Sequence, residues 1–137
     1  MNTATGFEKM FLDTSVLIEI FRSPSESMRY GKIETILQAE ENLYVSIVQF
    51  AEITSWCLAN GVAQDEPIGL IQEIAGVMPL SIDICRSASE LRHRKRQRKA
   101  KFGIIDGMIL ASARRLGERL LTFDSAFNGE TDCTVLR

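Results

Sequence analysis

Four carboxylates stand where a solvated surface charge is a strained explanation: Asp13, Glu52, Asp106 and Asp124. Most of the eighteen acids should face water, because Asp and Glu are rarely buried without a partner. Asp13, in "MFLDTSVLIEIF", follows the apolar Met10, Phe11 and Leu12 directly, and Asp124 follows the apolar "RLLTF". Asp106, in "IIDGMILASARRLG", shares a helical stripe with Ile109, Leu110 and Ala113, at the head of a face that should be buried. A first-turn acid gains only about 0.3–1 kcal/mol from the helix dipole. Burying an uncompensated ion costs several kcal/mol, so Asp106 calls for a cation or a cleft. Glu52, in "VQFAEITSW", projects beside Val48 and Trp56, away from the main apolar stripe, and a solvated helix face accounts for it. Taken alone, Asp13 is most economically a helix N-cap, with Thr14 and Ser15 as competing caps, and a turn residue accounts about equally well for Asp124.

If these carboxylates converge, their mutual repulsion must be neutralised. Hard divalent cations that prefer oxygen, Mg²⁺ or Mn²⁺, do this and supply an activated water. The rest of the composition narrows the chemistry further. His93 is the single histidine, which excludes metal-free RNA cleavage by a pair of histidines. Cys57, Cys85 and Cys133 are odd in number and widely spaced, which supports buried free thiols over a disulfide framework or a zinc site. The substrate suited to an all-carboxylate Mg²⁺ or Mn²⁺ site is a phosphodiester.

The elements that must position these acids follow from periodicity. Residues 9–12 and the segment "NLYVS" read as strands with near-continuous apolar runs, as do "VMPLSID", "RLLTF" and "CTVL". Helices are expected over residues 14–22, 25–41, 46–60, 66–76, 84–98 and 104–116. The second carries Ile33, Ile36, Leu37 and Glu40 at helical spacing after a break at Ser23, Pro24 and Ser25. The third carries an apolar stripe of Ile47, Phe50, Ala51, Thr54 and Leu58, and Gly61 and Gly117 stop the third and last helices. Short strands alternating with helices predict an α/β fold, a three-layer α/β/α sandwich on a mostly parallel sheet. In such a sheet Asp13 and Asp124 emerge on the edge where ligands bind.

A chain of 137 residues is the size of one domain, spanning residues 1–137, and can bury roughly two-thirds of its unfolded surface. Its 45% hydrophobic and 25% charged residues are those of an ordinary globular protein. No apolar run approaches the ~20 residues of a membrane span, and no basic start marks a signal peptide, so a cytoplasmic protein is expected. The net charge of −2 hides a basic run: "RHRKRQRKAK" holds seven of the sixteen Lys and Arg residues and no acid. Charge all round this segment predicts a helix that projects from the body. Arg92, Arg94, Lys95, Arg96, Arg98, Lys99 and Lys101 are then candidate phosphate contacts, against the plainer reading of a solvated helix end. Arg114, Arg115 and Arg119 could extend that surface, whereas His93 reads as an exposed member of the run and Trp56 and Tyr44 as core.

Taken together, "FLDTSVLIEIF", "VSIVQFAEI", "IIDGMILASARRLG" and "LLTFDSAF" resemble the PIN-domain family and, within it, the VapC-type ribonuclease toxins of type II toxin–antitoxin systems. The resemblance runs over nearly the whole chain. It implies Mg²⁺- or Mn²⁺-dependent endoribonuclease activity, with Asp13, Glu52, Asp106 and Asp124 as metal-binding and catalytic acids, and it lifts Glu52 above the solvated-face reading. Asp13 and Asp106 then hold the principal ion, and cleavage leaves a 5′-phosphate and a 3′-hydroxyl. Ser15 and Thr122 match hydroxyl positions that orient ligands or waters. Two positions depart from the family's pattern: Ala126 stands where a further acid is common, and Gly107 where alanine is more usual, which reads as tolerated packing.

The resemblance also implies partners: an RNA substrate, a cognate VapB-like antitoxin protein, a homodimer, and no membrane. Phe21, Met28 and Tyr30 could offer the antitoxin an apolar surface, or could equally be core. An RNA-processing PIN nuclease without an antitoxin would have the same site. A non-enzymatic Mg²⁺-binding receiver module would need adjacent acids after its first strand and a phospho-acceptor at a middle strand end, and neither occurs.

Overall fold

The computed structural model describes residues 9–22, 31, 34, 38, 42–97 and 101–137. Five strands, β1 (Met10–Leu12), β2 (Leu43–Ser46), β3 (Gly76–Met78), β4 (Arg119–Thr122) and β5 (Cys133–Val135), form one sheet in the order β3-β2-β1-β4-β5. Every neighbouring pair is parallel. Helices whose full range is described accompany them: α1 (Thr14–Arg22), α2 (Gln49–Asn60), α3 (Asp65–Ile74), α4 (Ile82–Lys95) and α5 (Ile104–Leu116), with a 3-10 turn at Ser125–Phe127.

Alternation along the strands divides the core in two. Met10 and Leu12 of β1, Leu43 and Val45 of β2 and Leu121 of β4 pack with Val16, Leu17, Ile53, Cys57 and Ile71 from α1, α2 and α3. Phe11 and Leu120 point the other way, to Ala88, Leu91, Ile109, Leu110 and Phe127 from α4, α5 and the 3-10 turn. Successive strand side chains face opposite sides, so a central strand covered on both faces must be apolar throughout. Phe11, Leu12 and Leu120 are accordingly fully buried. This is the expected three-layer sandwich.

Several local expectations need correction. Of the stripe Ile47, Phe50, Ala51, Thr54 and Leu58, only Phe50 and Thr54 are half-buried, Phe50 packing on the core, whereas Ala51 is exposed and Ile47 is 48% and Leu58 69% exposed. Buried instead are Gln49, Ile53 and Cys57. The helix starts after Ser46, which completes β2. The Gln49 amide is pinned inward by Ser46 and Leu12, while Ile47 faces outward and Val48 packs half-buried on the core. The strand expected over "VMPLSID" ends at Met78, since Pro79 cannot donate to a ladder and Ser81 caps α4 through its hydroxyl, 3.1 Å from the Ile84 amide. Gly76 belongs to β3 and not to the preceding helix. Gly61 and Gly117 do end α2 and α5, both in the left-handed conformation that favours glycine.

The helix expected over residues 25–41 and the surface residues Met28 and Tyr30 fall outside the described residues, apart from Gly31 and Glu34, which are helical, and Gln38. Arg98 and Lys99 are likewise outside them. Of the cysteines, Cys57 is buried while Cys85 and Cys133 are half-buried, all three free. Partial burial beside Asp132 and Glu130 pushes the Cys133 thiol up to about 12.

Helix α4 does not project from the body. Ala88 and Leu91 lie in the core, and Gly107 of α5 comes so close that a Cβ there would sit 2.5 Å from the Ala88 carbonyl oxygen. Gly107 is a steric requirement of the α4–α5 contact, not tolerated packing. A four-residue ionic clasp secures the same side. Arg114 donates to Asp132 at 2.7 Å and to Glu130 at 2.6 Å, and Lys95 reaches Glu130 at 2.6 Å. These contacts hold the Glu130 and Asp132 carboxyls below the usual carboxylate range. Isolated surface pairs contribute at most about 1 kcal/mol, but this one is bidentate and shared. Arg114→Met should therefore lower unfolding stability by about 1–2 kcal/mol in urea titrations, with a smaller loss in high salt.

Candidate active site

Strands β1 and β4 are adjacent, yet the chain leaves them toward opposite faces. After β1 it enters α1, whose Val16 and Leu17 pack on one side of the sheet. After β4 it enters the 3-10 turn, whose Ala126 and Phe127 pack on the other. Such a divergence at the carboxyl ends of parallel strands opens a crevice, the usual ligand position of open α/β sheets. Asp13 follows β1 and Asp124 follows β4 at this edge, and the Asp13 amide donates a hydrogen bond to the Leu121 carbonyl of β4 at 2.9 Å.

Asp13 is 4% exposed. Its Oδ2 accepts the Ser15 hydroxyl at 2.7 Å, the Thr122 hydroxyl at 2.7 Å and, at a long 3.4 Å, the Ser15 amide. The helix-cap reading thus survives only marginally, since hydroxyls hold the carboxylate more closely than the helix amide does. Neither Thr14 nor Ser15 takes over the cap: the Thr14 hydroxyl donates to Glu52 Oε1 at 2.5 Å. The Ser15 oxygen also accepts the Phe123 amide at 2.9 Å, and the Thr122 oxygen accepts the Asp124 amide at 2.9 Å. Ser15 and Thr122 therefore lace the start of α1 to the end of β4 around Asp13. Asp124 caps the 3-10 turn, its Oδ1 2.8 Å from the Ala126 amide. Ala126 is buried in the apolar core, so the departure from the family's pattern is a packing residue here.

Asp106 stands in the first turn of α5 and accepts the Gly103 amide at 2.8 Å, one half of a capping box. Below it Ile109, Leu110 and Ala113 are buried as their spacing predicts. Burial first, and then the charges of Asp13 and Asp124, raise the Asp106 carboxyl above its ordinary value. Burial likewise raises Glu52, against the Thr14 hydrogen bond and with help from Asp13 and Asp106. Burial raises Asp13 against three hydrogen bonds, with help from Asp124. The four acids thus share one electrostatic environment.

Among the described residues none of the four forms a salt bridge, and no three His, Cys, Asp or Glu side chains converge tightly enough to form a ready-made metal cage. Four carboxylates without a counter-charge, the first of them buried, make an oxygen-only donor set that fits a hard divalent cation.

The basic run is divided. Arg94, Arg96 and Lys101 are exposed, as is His93. Lys95 is 12% exposed, held by Glu130 and lying 5.3 Å above the Phe102 ring. Arg96 donates to the Phe102 carbonyl at 3.2 Å. Arg92 is half-buried, its Nε without a hydrogen-bond partner. Lys95 and Arg96 therefore brace the segment running into Gly103 and Asp106. Arg114 is occupied by the clasp, Arg115 by Asp83 at 3.5 Å, and Arg119 by Thr134 and Thr131. Tyr44 packs half-buried on one core cluster and Trp56 on the other, where its ring centroid lies 6.3 Å from that of Phe21.

Two residues at the site were not anticipated from sequence: Thr14, weighed only as a cap, and Gln49. The signal for Gln49 was an amide set between Val48 and Phe50 in an otherwise apolar run, one helical turn before Glu52.

The fold is that of a parallel α/β/α domain, with Asp13 and Asp124 following the carboxyl ends of its two adjacent strands β1 and β4. A family model for the PIN domain matches residues 10–129, and the chain belongs to that family. No curated protein matches it. Among solved structures, a toxin–antitoxin complex from Klebsiella pneumoniae superposes with a TM-score of 0.71 at 19% identity, covering 93% of this chain and 97% of that one. VapBC2 from Rickettsia felis, bound to a DNA fragment from its promoter, gives 0.68 at 16% identity, over 93% and 96% of the two chains. VapC20 from Mycobacterium tuberculosis, a sarcin–ricin loop cleaving toxin, gives 0.64 at 18% identity, over 90% and 95%. At these identities the likeness is one of fold. Among the described residues no helix is long and apolar enough to cross a membrane.

Proposed function

We propose that this chain, acting as a single PIN domain, is a Mg²⁺- or Mn²⁺-dependent endoribonuclease and the toxin of a toxin–antitoxin pair with a VapB-like partner. The observation that carries the reading is Asp13, 4% exposed at the strand-edge crevice, without a cation and within the field of further carboxylates. Burying such a charge costs several kcal/mol, a cost that makes sense when the group serves a ligand. Membership of the PIN family and the fold shared with solved toxins support the nuclease and toxin assignments.

Asp13 and Asp106 would hold the ion, with Glu52 and Asp124 completing its surroundings. The bound ion would neutralise the acids and activate water for attack on phosphorus. Ser15 and Thr122 fix the Asp13 carboxylate by donating to its Oδ2. Arg94, Arg96 and Lys101 are the exposed candidates for contacting RNA phosphates, while Lys95, held by Glu130, and Arg96, through the Phe102 carbonyl, also brace the approach to Asp106.

Purified protein should cleave single-stranded RNA with Mg²⁺ or Mn²⁺ and stop on chelation; cleavage undiminished by excess chelator would refute the metal assignment. Mn²⁺ at a hundredfold excess over its Kd should stabilise the fold by about 2.7 kcal/mol, read as a thermal shift that Asp13→Asn removes. Arg94→Ala should flatten the salt dependence of RNA binding by roughly 0.7 in log–log slope, whereas Lys95→Ala should chiefly lower stability. For the toxin assignment, the product of an adjacent small reading frame should form a complex with this chain and suppress cleavage.

A further inference from the structure

Gln49 is 1% exposed, and a buried amide needs its hydrogen bonds satisfied to be tolerated. Its Oε1 accepts the Ser46 amide at 2.7 Å at the end of β2. Its Nε2 donates to the Leu12 carbonyl at 2.7 Å at the end of β1, and to the Thr14 hydroxyl oxygen at 3.3 Å. The orientation of the amide is forced. Turned over, it would set Oε1 against the Leu12 carbonyl, acceptor facing acceptor, and its NH₂ against the Ser46 N–H. Because Thr14 Oγ1 accepts from Gln49, its own proton is directed to Glu52 Oε1 at 2.5 Å.

We infer that Gln49 is a positioning residue of the carboxylate site, setting the separation and orientation of Asp13 and Glu52 through the relay Gln49–Thr14–Glu52. Both ends of the relay are anchored. Leu12 contributes the carbonyl of the peptide that leads into Asp13, and Gln49 lies one helical turn before Glu52 on α2. The amide clips the ends of β1 and β2 together, and the Thr14 hydroxyl fixes the Glu52 rotamer. A hydrophobic residue at 49 would fill the same space while leaving the Ser46 amide unheld and the Thr14 hydroxyl without the donor that directs its proton to Glu52. Bonds of this kind, one step removed from a metal, commonly govern affinity by about 10–100-fold. The inference rests on the nuclease reading for the identity of the ligand, though not for the hydrogen-bonded geometry.

Four proteins test it: wild type, Thr14→Val, Thr14→Ser and Gln49→Met. Mn²⁺ affinity of the metal-free proteins is read by calorimetry, the Ser46 amide by hydrogen exchange, folding by thermal unfolding, and RNA cleavage as kcat and KM. Thr14→Val should keep the Ser46 amide protected and remain folded while losing about 10–100-fold in Mn²⁺ affinity, with kcat falling and KM for RNA unchanged. Thr14→Ser should restore affinity to within about threefold. Gln49→Met should lose Mn²⁺ affinity similarly and, in addition, expose the Ser46 amide to faster exchange. Folded Thr14→Val protein with wild-type Mn²⁺ affinity would overturn the relay, and should Gln49→Met fail to fold, Thr14→Val alone decides. If wild type itself binds no Mn²⁺, the nuclease reading fails and the inference falls with it. Wild-type binding with unchanged variants removes only the inference.

Discussion

Asp106→Asn should abolish RNA cleavage, by about a thousandfold or some 4 kcal/mol of transition-state stabilisation, while raising the melting temperature of the metal-free protein. Both effects follow from one geometry. Asp106 lies in the field of Asp13 and Asp124, and burial raises its carboxyl above the ordinary value. A carboxyl whose folded pKa is raised binds protons more tightly in the folded than in the unfolded chain. Its ionised form therefore costs stability at neutral pH, and that cost is relieved as pH falls through the raised folded value. Asparagine keeps an oxygen to accept the Gly103 amide, 2.8 Å away in the native protein, and removes only the charge. Retained cleavage by the purified variant would sink the site assignment, and a lowered melting temperature would sink the like-charge account.

The same sign governs wild type. Asp13, Glu52 and Asp106 are all raised, so the metal-free protein should gain stability as pH is lowered from 7 toward the ordinary carboxylate range. Glu130 and Asp132 are lowered, and their contribution is present above the unfolded pKa and lost as pH falls through the folded value. Stability of the metal-free protein should thus peak on the acid side of neutrality and collapse at lower pH. Bound Mn²⁺ should flatten the neutral arm, since it compensates the same charges.

Gly107→Ala should destabilise the protein by about 1–3 kcal/mol, roughly a 4–15 °C fall in melting temperature, with activity falling alongside. Helix propensity points the other way, since alanine is better than glycine within a helix by about 1 kcal/mol. The contact decides the sign. The new Cβ would stand 2.5 Å from the Ala88 carbonyl oxygen and 3.1 Å from its carbon, backbone atoms that cannot rotate away. Helix α5 would have to lift from α4, and Asp106, the preceding residue, would move with it. Unchanged stability in thermal and urea unfolding would mean that the two helices can separate without cost.

The sandwich was legible in the sequence because strand and helix periods differ and each leaves its own apolar trace. "MFL", "LYVS" and "RLLT" are short, apolar and buried on both faces, and "IIDGMILASARRL" carries the 3.6-residue stripe that the core occupies. Asp106 was legible for the same reason, being a charge on that stripe. Glu52 was not, because α2 is rotated from the face its apolar residues suggested. The face it turns to the sheet includes the buried, hydrogen-bonded amide of Gln49, and hydrophobic spacing carries no record of it. Within the described part of the basic run, Lys95 departs from the projecting helix that charge on every side suggested, since Glu130 and the Phe102 ring give it a place in the body.

By itself, then, the sequence determined the alternation of strands and helices and the four acids set against apolar segments, since these depend on neighbours a few residues apart. Only the tertiary structure decided that β4 lies beside β1, that hydroxyls from residues 15 and 122 meet on one oxygen of Asp13, and that Gln49 joins two strand ends to Glu52. Those contacts span 107 residues between Ser15 and Thr122 and 35 between Gln49 and Thr14. At such separations, partners are chosen by strand order and helix rotation, which arise from packing the whole chain and not from any local stretch of it.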